Sequence, residues 1–319
     1  MLTAASLPPE LTEFSDLVAG RLRALGGGLP EPLRSPVSTL ASRPAKHLRS
    51  MLLGACARIG TPDPERVVRL GALVELLHLA SLLHDDVVDR AATRRGGPAA
   101  HTVVGPERAV LAGLACFALA GMEAASIGGG LDQLVSATVT GLAYGELLDV
   151  ERAFDTALSL PDYIELTERK TGDLFRLSCL LGAAEAGAGT ELALALAQFG
   201  ADFGVAFQIL DDCLDFRADE EGKPTGIDHM MGLFGAPTLC ALAADDSGEL
   251  AALLLSPRFS ERQMPAVRAL VSSRGGLAAA ARLAQERFER ALASLDGLVP
   301  PSARHVLVAT AEIAWRGRL

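Results

Sequence analysis

The sequence predicts an all-α fold, a single domain over residues 1–319 in which roughly ten or more helices bundle around a central cavity. Three observations carry this expectation. Half of the residues are hydrophobic but only 4% are aromatic, so Ala and Leu, both strong helix formers, must supply the core. Apolar residues recur at helical spacing along most of the chain, with no sustained alternation and no hairpin signal. No stretch of flexible composition divides the chain in two.

Residues 1–40 read as a helical lead-in. A polar helical stretch over 9–25 stops at Gly26-Gly27-Gly28, and Pro30, Pro32 and Pro36 punctuate a second short element. Helical spacing resumes at Ala45, breaks over 60–64 and returns as one long helix over 68–88. Residues 94–105 form a loop containing Gly and Pro, followed by helices over 107–127, 131–149, 160–186 and 192–217. Residues 218–237, rich in Gly, Asp and Pro, read as a loop interrupted by a short helix. Further helices are expected over 236–244, 249–255, 261–273, 275–295 and 302–315.

Bulk properties exclude several classes. A net charge of −10 without a Lys/Arg stripe argues against general nucleic-acid binding. Five cysteines lack metal-like CxxC spacing and have apolar neighbours, and no signal peptide precedes them, so reduced buried thiols and a cytoplasmic location are expected. The longest apolar run, 109–122, is too short for a membrane span and ends at Glu123, so no transmembrane segment is expected.

One acidic pattern occurs twice, as Asp85-Asp86-Val87-Val88-Asp89 and Asp211-Asp212-Cys213-Leu214-Asp215. At about 100° per residue, positions i, i+1 and i+4 fall in one sector of a helix. Each copy thus aims three carboxylates at one region, beside core-like residues such as Leu82, Leu83, Ile209 and Leu210. Mutual repulsion at that spacing demands a cation, and a hard divalent ion held by carboxylate oxygens, with coordination left for phosphate, meets the demand. A lone copy reads equally well as a solvated helix end. Two copies in apolar surroundings read as two helices facing one another across a cavity.

Basic residues interleave with these acids. Lys46 and Arg49 lie one turn apart upstream, Arg94-Arg95 follow the first cluster, Lys170-Thr171 stand between the clusters, and Lys223 lies in a Gly-rich stretch after the second. Taken singly each has a plain reading; Arg94-Arg95, for example, would complement a helix C-terminus. Together with the acids they suggest a polyanionic substrate, with metal bridging carboxylate to phosphate and guanidinium or ammonium groups binding the remaining oxygens.

The order of these elements resembles the trans-type, head-to-tail isoprenyl diphosphate synthases of the polyprenyl synthase family. The match runs from Lys46-His47-Leu48-Arg49 through Glu75-Leu76-Leu77-His78, the first acidic cluster, Arg94-Arg95-Gly96, Lys170-Thr171 and Phe207-Gln208 to the second cluster and about Asp228, with a weaker continuation to the C-terminus. The resemblance implies the isoprenoid synthase fold and a homodimer joined through helices near the Ala/Leu-rich middle. It implies Asp85, Asp89 and Asp211 as the main Mg2+ ligands, with Asp86, Asp212 and Asp215 in support. Arg94, Lys170 and Lys223 would touch the diphosphate of an allylic substrate such as dimethylallyl, geranyl or farnesyl diphosphate. Lys46, Arg49, His78 and Arg95 would bind isopentenyl diphosphate. Thr171 and Gln208 would place oxygen dipoles near the reacting carbons.

Product length is argued from the residues four and five before Asp85, Ser81 and Ala80, which are expected near its face and displaced away from the metals. In the family a bulky aromatic there resembles a floor, whereas small residues leave a tunnel open. A product longer than farnesyl diphosphate is therefore expected, with Phe117 or Met122 as a deeper floor. Several positions depart from the family pattern: Ser50 stands where Pro is usual, His47 where Arg is common, and Leu114 and Leu233 where Asp and Lys often occur. Two alternatives stand beside this reading. A class I terpene cyclase would share the metal-assisted ionisation but has no use for Lys46, Arg49 and Arg95. A non-catalytic partner subunit commonly loses acidic motifs, which this chain retains.

Overall fold

Segments rich in Ala and Leu wind into helices almost end to end in the computed structural model, which describes residues 9–214, 216 and 227–316. The lead-in forms α1 (Pro9–Gly27) and α2 (Arg34–Ala41), followed by α3 (Leu48–Ala57) and α4 (Pro64–Val88). A two-stranded ribbon, β1 (Thr93–Arg94) and β2 (Gly97–Pro98), precedes α5 (Ala100–Val104), α6 (Pro106–Ile127) and α7 (Leu131–Glu151). Then come α8 (Leu160–Thr167), a π turn (Glu168–Gly172), α9 (Asp173–Glu185), α10 (Thr190–Leu214) and α11 (Ile227–Met230). The chain continues through α12 (Ala236–Ala243), α13 (Glu249–Leu254), α14 (Met264–Ser273), α15 (Gly276–Ala293) and α16 (Pro301–Arg316).

The helix α4 is the clearest case of sequence dictating structure. Asp63 caps its start, accepting from the backbone N–H groups of Glu65 and Arg66, and Pro64 fits the first turn because its missing N–H would be unsatisfied there anyway. Leu70, Leu73, Leu76, Leu77, Leu79 and Leu83 point around most of its circumference and are all buried. A helix apolar on nearly every side must be enclosed, and α1, α3 and α6 pack around this one. Each buried Leu contributes roughly 1.5–3 kcal/mol. The equally long α10 is enclosed by α9 and α15, so the first two Asp of each acidic cluster ride on long, largely buried helices.

Two hydrophobic cores result. One gathers around α4 with α1, α6 and α7; the other gathers around α10 with α12, α15 and α16, and α3 and α9 contribute to both. All five cysteines are buried in these cores.

Three details differ from the sequence reading. Residues 94–105 are not all loop: β1 and β2 pair antiparallel, with Thr93 opposite Pro98 and Arg94 opposite Gly97. The two-residue turn between them, Arg95 (φ 49°) and Gly96 (φ 72°), takes two left-handed conformations, as tight hairpins require. Residues 160–186 are not one regular helix, because the π turn widens it at Lys170 and Thr171. Finally, α4, α6 and α10 are long and apolar enough to cross a membrane, contrary to the expectation from the 109–122 run. In α4 and α10 most of the apolar window is buried against protein, whereas in α6 a third of it is.

Candidate active site

The C-terminal ends of α4 and α10 open onto one cavity of about 690 Å³. Its wall divides by charge. Asp85 from α4, Asp89 just after its end, Asp149 from α7, Asp211 and Asp212 from α10 and Asp228 from α11 line one part. Lys46, His47, Arg49, His78, Arg94 and Arg95 line another, together with Glu75. Leu82, Leu166, Phe207 and Phe234 add apolar surface to the wall.

In the acidic part, enclosure sets the chemistry. Burial pushes the Asp85 carboxyl up to about 7; Lys170 opposes that shift, while Glu146 and Asp89 add to it. Asp89 is raised to about 6 by burial, again with Glu146 and other carboxylates adding. Lys170 is the local counterion. Its ammonium donates to Asp149 at 2.5 Å and lies 3.1 Å from Glu146. Burial disfavours that charge, but Asp149, Glu146, Asp85 and Asp89 outweigh it and hold the pKa above the ordinary lysine value.

The π turn delivers Lys170 and Thr171 to the cavity. Extra backbone per turn swings both side chains inward, a common use of such turns at functional sites. It needs Gly145 on α7, because a Cβ there would lie 2.6 Å from the Lys170 backbone nitrogen. Thr171 Oγ1 donates to Gln208 Oε1 (3.1 Å), and Gln208 Nε2 donates to Asp212 Oδ1 (3.0 Å). Asp212 Oδ2 also accepts from the Tyr163 hydroxyl (2.5 Å) and from the backbone N–H of Ala236 at the start of α12 (2.9 Å). Burial still lifts its carboxyl to about 6 despite these donors.

The basic part is organised by Glu75, which is buried. It accepts from the Ser50 N–H at 3.1 Å and faces His47 Nδ1 at 3.2 Å, with His47 in the left-handed region at φ 45°. Burial would raise the Glu75 pKa, but His47, Arg49 and the Ser50 N–H outweigh it and hold it down. Burial and then Arg49, Arg95, Arg94 and His47 push His78 well below the usual imidazole value, so it stands neutral with Nδ1 buried and unpartnered among the described residues. A neutral His78 offers a hydrogen bond rather than a charge. The ribbon that carries Arg94 and Arg95 is pinned by Arg43, which donates to Arg94 O (2.6 Å) and Pro98 O (2.9 Å).

Most residues singled out from sequence meet here: Lys46, Arg49, His78, Ser81, Asp85, Asp89, Arg94, Arg95, Lys170, Thr171, Gln208, Asp211 and Asp212 all line the cavity. Two do not. Asp86, expected as a supporting metal ligand, is fully buried away from the cavity and forms a 2.6 Å ion pair with Arg94 Nε. Ala80, expected to line a tunnel, is buried in the α4 core. Five positions before Asp85 is about 500° of rotation, which lands on the far side of the helix, whereas four positions is about 400° and brings Ser81 back to the same face. Asp215 and Lys223 lie outside the described residues. Sequence reasoning left out Asp149, Glu146, Tyr163 and Glu75 as site residues; their signal was a few polar positions on otherwise apolar helical faces.

A second cavity of about 290 Å³ opens beside Ser81 and Asp85 and runs between α4, α6 and α7. Phe117, Leu142, Ala143, Leu147 and Val150 line it, with His84. Met122, the other floor considered, is 68% exposed and does not line it.

The donor set fits a hard divalent cation. It is made of carboxylate oxygens, and Asp89 Oδ1 and Glu146 Oε1 are buried without a hydrogen-bond partner among the described residues. Among the described residues no three acidic, His or Cys side chains already surround one point. Mg2+ does not require that, because it binds through one or two carboxylates while water and substrate phosphate complete its shell.

Comparison with known proteins agrees with this geometry. The polyprenyl synthetase family model matches residues 30–270. A prenyl transferase of Porphyra purpurea is 32% identical over 310 residues, covering 95% of both chains. Component 2 of the heptaprenyl diphosphate synthase of Geobacillus stearothermophilus is 33% identical over 279 residues, covering 86% of this chain and 87% of that one. A crystal structure of a polyprenyl synthase from Caulobacter crescentus, complexed with calcium and isoprenyl diphosphate, superimposes with a TM-score of 0.89 at 29% identity and covers 98% of each chain. With the acidic helices, the Lys-Thr pair and the basic cluster assembled around one cavity, the chain belongs to the polyprenyl synthetase family and is a prenyltransferase.

Proposed function

We propose that this prenyltransferase condenses isopentenyl diphosphate head-to-tail with an allylic diphosphate, in a Mg2+-dependent reaction, to give an (E)-polyprenyl diphosphate longer than farnesyl. The supporting observation is the division of one cavity into an acidic part and a basic part. Such a wall suits two diphosphates held in different ways, one through metal and one through direct ion pairs. Asp85, Asp89 and Asp211 would hold Mg2+, which when bound neutralises diphosphate charge and eases departure of that group.

The chain's own residues do the rest. Lys170, oriented by Asp149 and Glu146, and Arg94, oriented by Asp86, bind the departing diphosphate. Lys46, Arg49 and Arg95 grip isopentenyl diphosphate, and His78 donates a hydrogen bond. As the allylic C–O bond ionises, the Thr171 and Gln208 oxygens face the carbon that becomes cationic. Leu82, Leu166 and Phe207 keep water from trapping it. After the new C–C bond forms, the released diphosphate takes the proton.

The second cavity suits the growing chain. Ser81 at its entrance is small, its lining is mostly apolar, and Phe117 stands along it as the aromatic stop. Product analysis with isopentenyl diphosphate and a panel of allylic primers tests both parts of this reading. Mg2+-dependent products beyond farnesyl diphosphate are expected. Exclusive release of farnesyl diphosphate contradicts the open tunnel, and no consumption of isopentenyl diphosphate contradicts the condensation.

The proposal includes a homodimer, and the surface of α6 and α7 supports it. Val110, Leu111 and Leu114 on α6 and Tyr144 and Leu147 on α7 are 40–58% exposed, an apolar face beside helices that pack on each other. Light scattering of the purified chain is expected to show a dimer, and Leu111→Glu with Leu114→Glu is expected to dissociate it. Because one relative is a component of a heptaprenyl diphosphate synthase, the activity assay uses the chain alone. Activity that appears only with a second, different chain favours the partner-subunit alternative.

A further inference from the structure

We infer that Arg152 is a diphosphate-binding residue at the rim of the acidic part of the cavity, a role that rests on the condensation proposed above. Arg152 follows Asp149 by three residues at the end of α7, so both side chains leave the same side of the helix, and both line the cavity. Among the described residues, the two other cations assigned to the departing diphosphate are already committed, Lys170 to Asp149 and Glu146, and Arg94 to Asp86. Arg152 holds a looser contact. Its Nη1 lies 3.4 Å from Asp155 Oδ2, between side chains that are 48% and 30% exposed. An exposed pair of that length contributes little to stability, so the guanidinium can leave it for a bound polyanion.

A second observation concerns the wall next to it. The Phe154 N–H donates to Gly232 O at 2.8 Å, fastening the end of α7 to the turn after α11. The approach leaves no room for a side chain at Gly232 (φ 77°), where a Cβ would meet Phe154 at 2.5 Å. That clamp sets Leu233 into the cavity wall beside the end of α7. Leu233 gives a phosphate oxygen no donor, and the cation across the clamp is Arg152. A guanidinium there offers two parallel N–H groups to a phosphate. Arg152 would thus bind diphosphate oxygens beside Lys170, while Asp85, Asp89 and Asp211 would hold the metal.

The test uses Arg152→Ala and Arg152→Lys, with Leu233→Lys added to Arg152→Ala. Titration calorimetry with Mg2+ and farnesyl thiolodiphosphate, a slowly ionising allylic analogue, reads binding directly, and steady-state kinetics read KM for each substrate. Arg152→Ala is expected to weaken analogue binding and raise the allylic KM roughly tenfold, or ~1.4 kcal/mol, with the isopentenyl diphosphate KM unchanged. Arg152→Lys is expected to fall between, because an ammonium lacks the fork, and the added Leu233→Lys is expected to restore binding. Unchanged analogue binding in Arg152→Ala, or equal rises in both KM values, overturns the assignment. Arg152-dependent binding in a wild-type protein that forms no product leaves the assignment standing and removes the condensation reading instead.

Discussion

The two acidic clusters share one spelling and do different work. In the first, Asp85 and Asp89 face the cavity while Asp86 turns away, fully buried, to hold Arg94. In the second, Asp212, the counterpart of Asp86, stays on the cavity wall and gathers Tyr163, Gln208 and the Ala236 N–H. Helical spacing alone makes these positions equivalent. Their neighbours separate them: a pinned ribbon brings Arg94 to Asp86, while α8 and α12 bring a hydroxyl and a backbone N–H to Asp212. A motif therefore fixes which residues can meet a ligand, and tertiary partners decide which of them do.

The largest effect separates the cavity-facing acids from the rest. Asp85→Ala and Asp211→Ala are each expected to lower kcat by roughly 10³-fold or more with the helical circular dichroism unchanged. A near-normal rate in either breaks the metal assignment.

The contrast sharpens at the second Asp of each cluster. Asp212→Asn turns one carboxylate oxygen into an N–H donor, so either Gln208 or the Tyr163 and Ala236 donors lose their acceptor, and it is expected to lower kcat by roughly 10–100-fold as the Thr171–Gln208 chain is disturbed. Asp86→Ala is expected to act on Arg94: a higher allylic KM and a stability loss of ~1–2 kcal/mol, reduced from the cost of a fully buried pair because Arg94 is 30% exposed. Equal kinetic profiles for the two variants would erase the difference between the clusters.

The smallest effect is a stability change with pH. Asp85 has a folded pKa raised to about 7 by burial, above its ordinary value of 3.8. The folded state therefore binds more protons than the unfolded chain between those values, and the carboxylate's contribution to metal-free stability falls as pH rises through that window. Asp85→Asn removes the penalty. It is expected to melt roughly 2–5 °C higher than the parent at pH 8 without metal, with the difference shrinking below about pH 5. A variant that melts lower at pH 8, or a difference independent of pH, contradicts the burial of that charge.

Much of this was legible in the sequence, and the exceptions have physical causes. Long helices such as α4 and α10 announced themselves because enclosure requires sustained apolar periodicity. The acidic and basic groups were legible because so many charges amid apolar sequence need a shared ligand. The π turn left no mark, since one extra residue in a helical turn changes hydrogen bonding and not composition. The β1–β2 ribbon was too short for alternation to register. Asp149 and Glu146 belong to none of the motifs in the sequence; the approach of α7 to Lys170, allowed by Gly145, shows their role. Ala80 was misplaced by treating neighbours in sequence as neighbours on a helical face.

Opposed clusters acting on one diphosphate can be seen directly by anomalous diffraction from crystals soaked with Mn2+ and farnesyl thiolodiphosphate. The account predicts manganese between the analogue's diphosphate and both Asp85/Asp89 and Asp211, within the cavity shared by the ends of α4 and α10. Manganese bound at one cluster alone, or a diphosphate seated only among Lys46, Arg49 and Arg95, would contradict it.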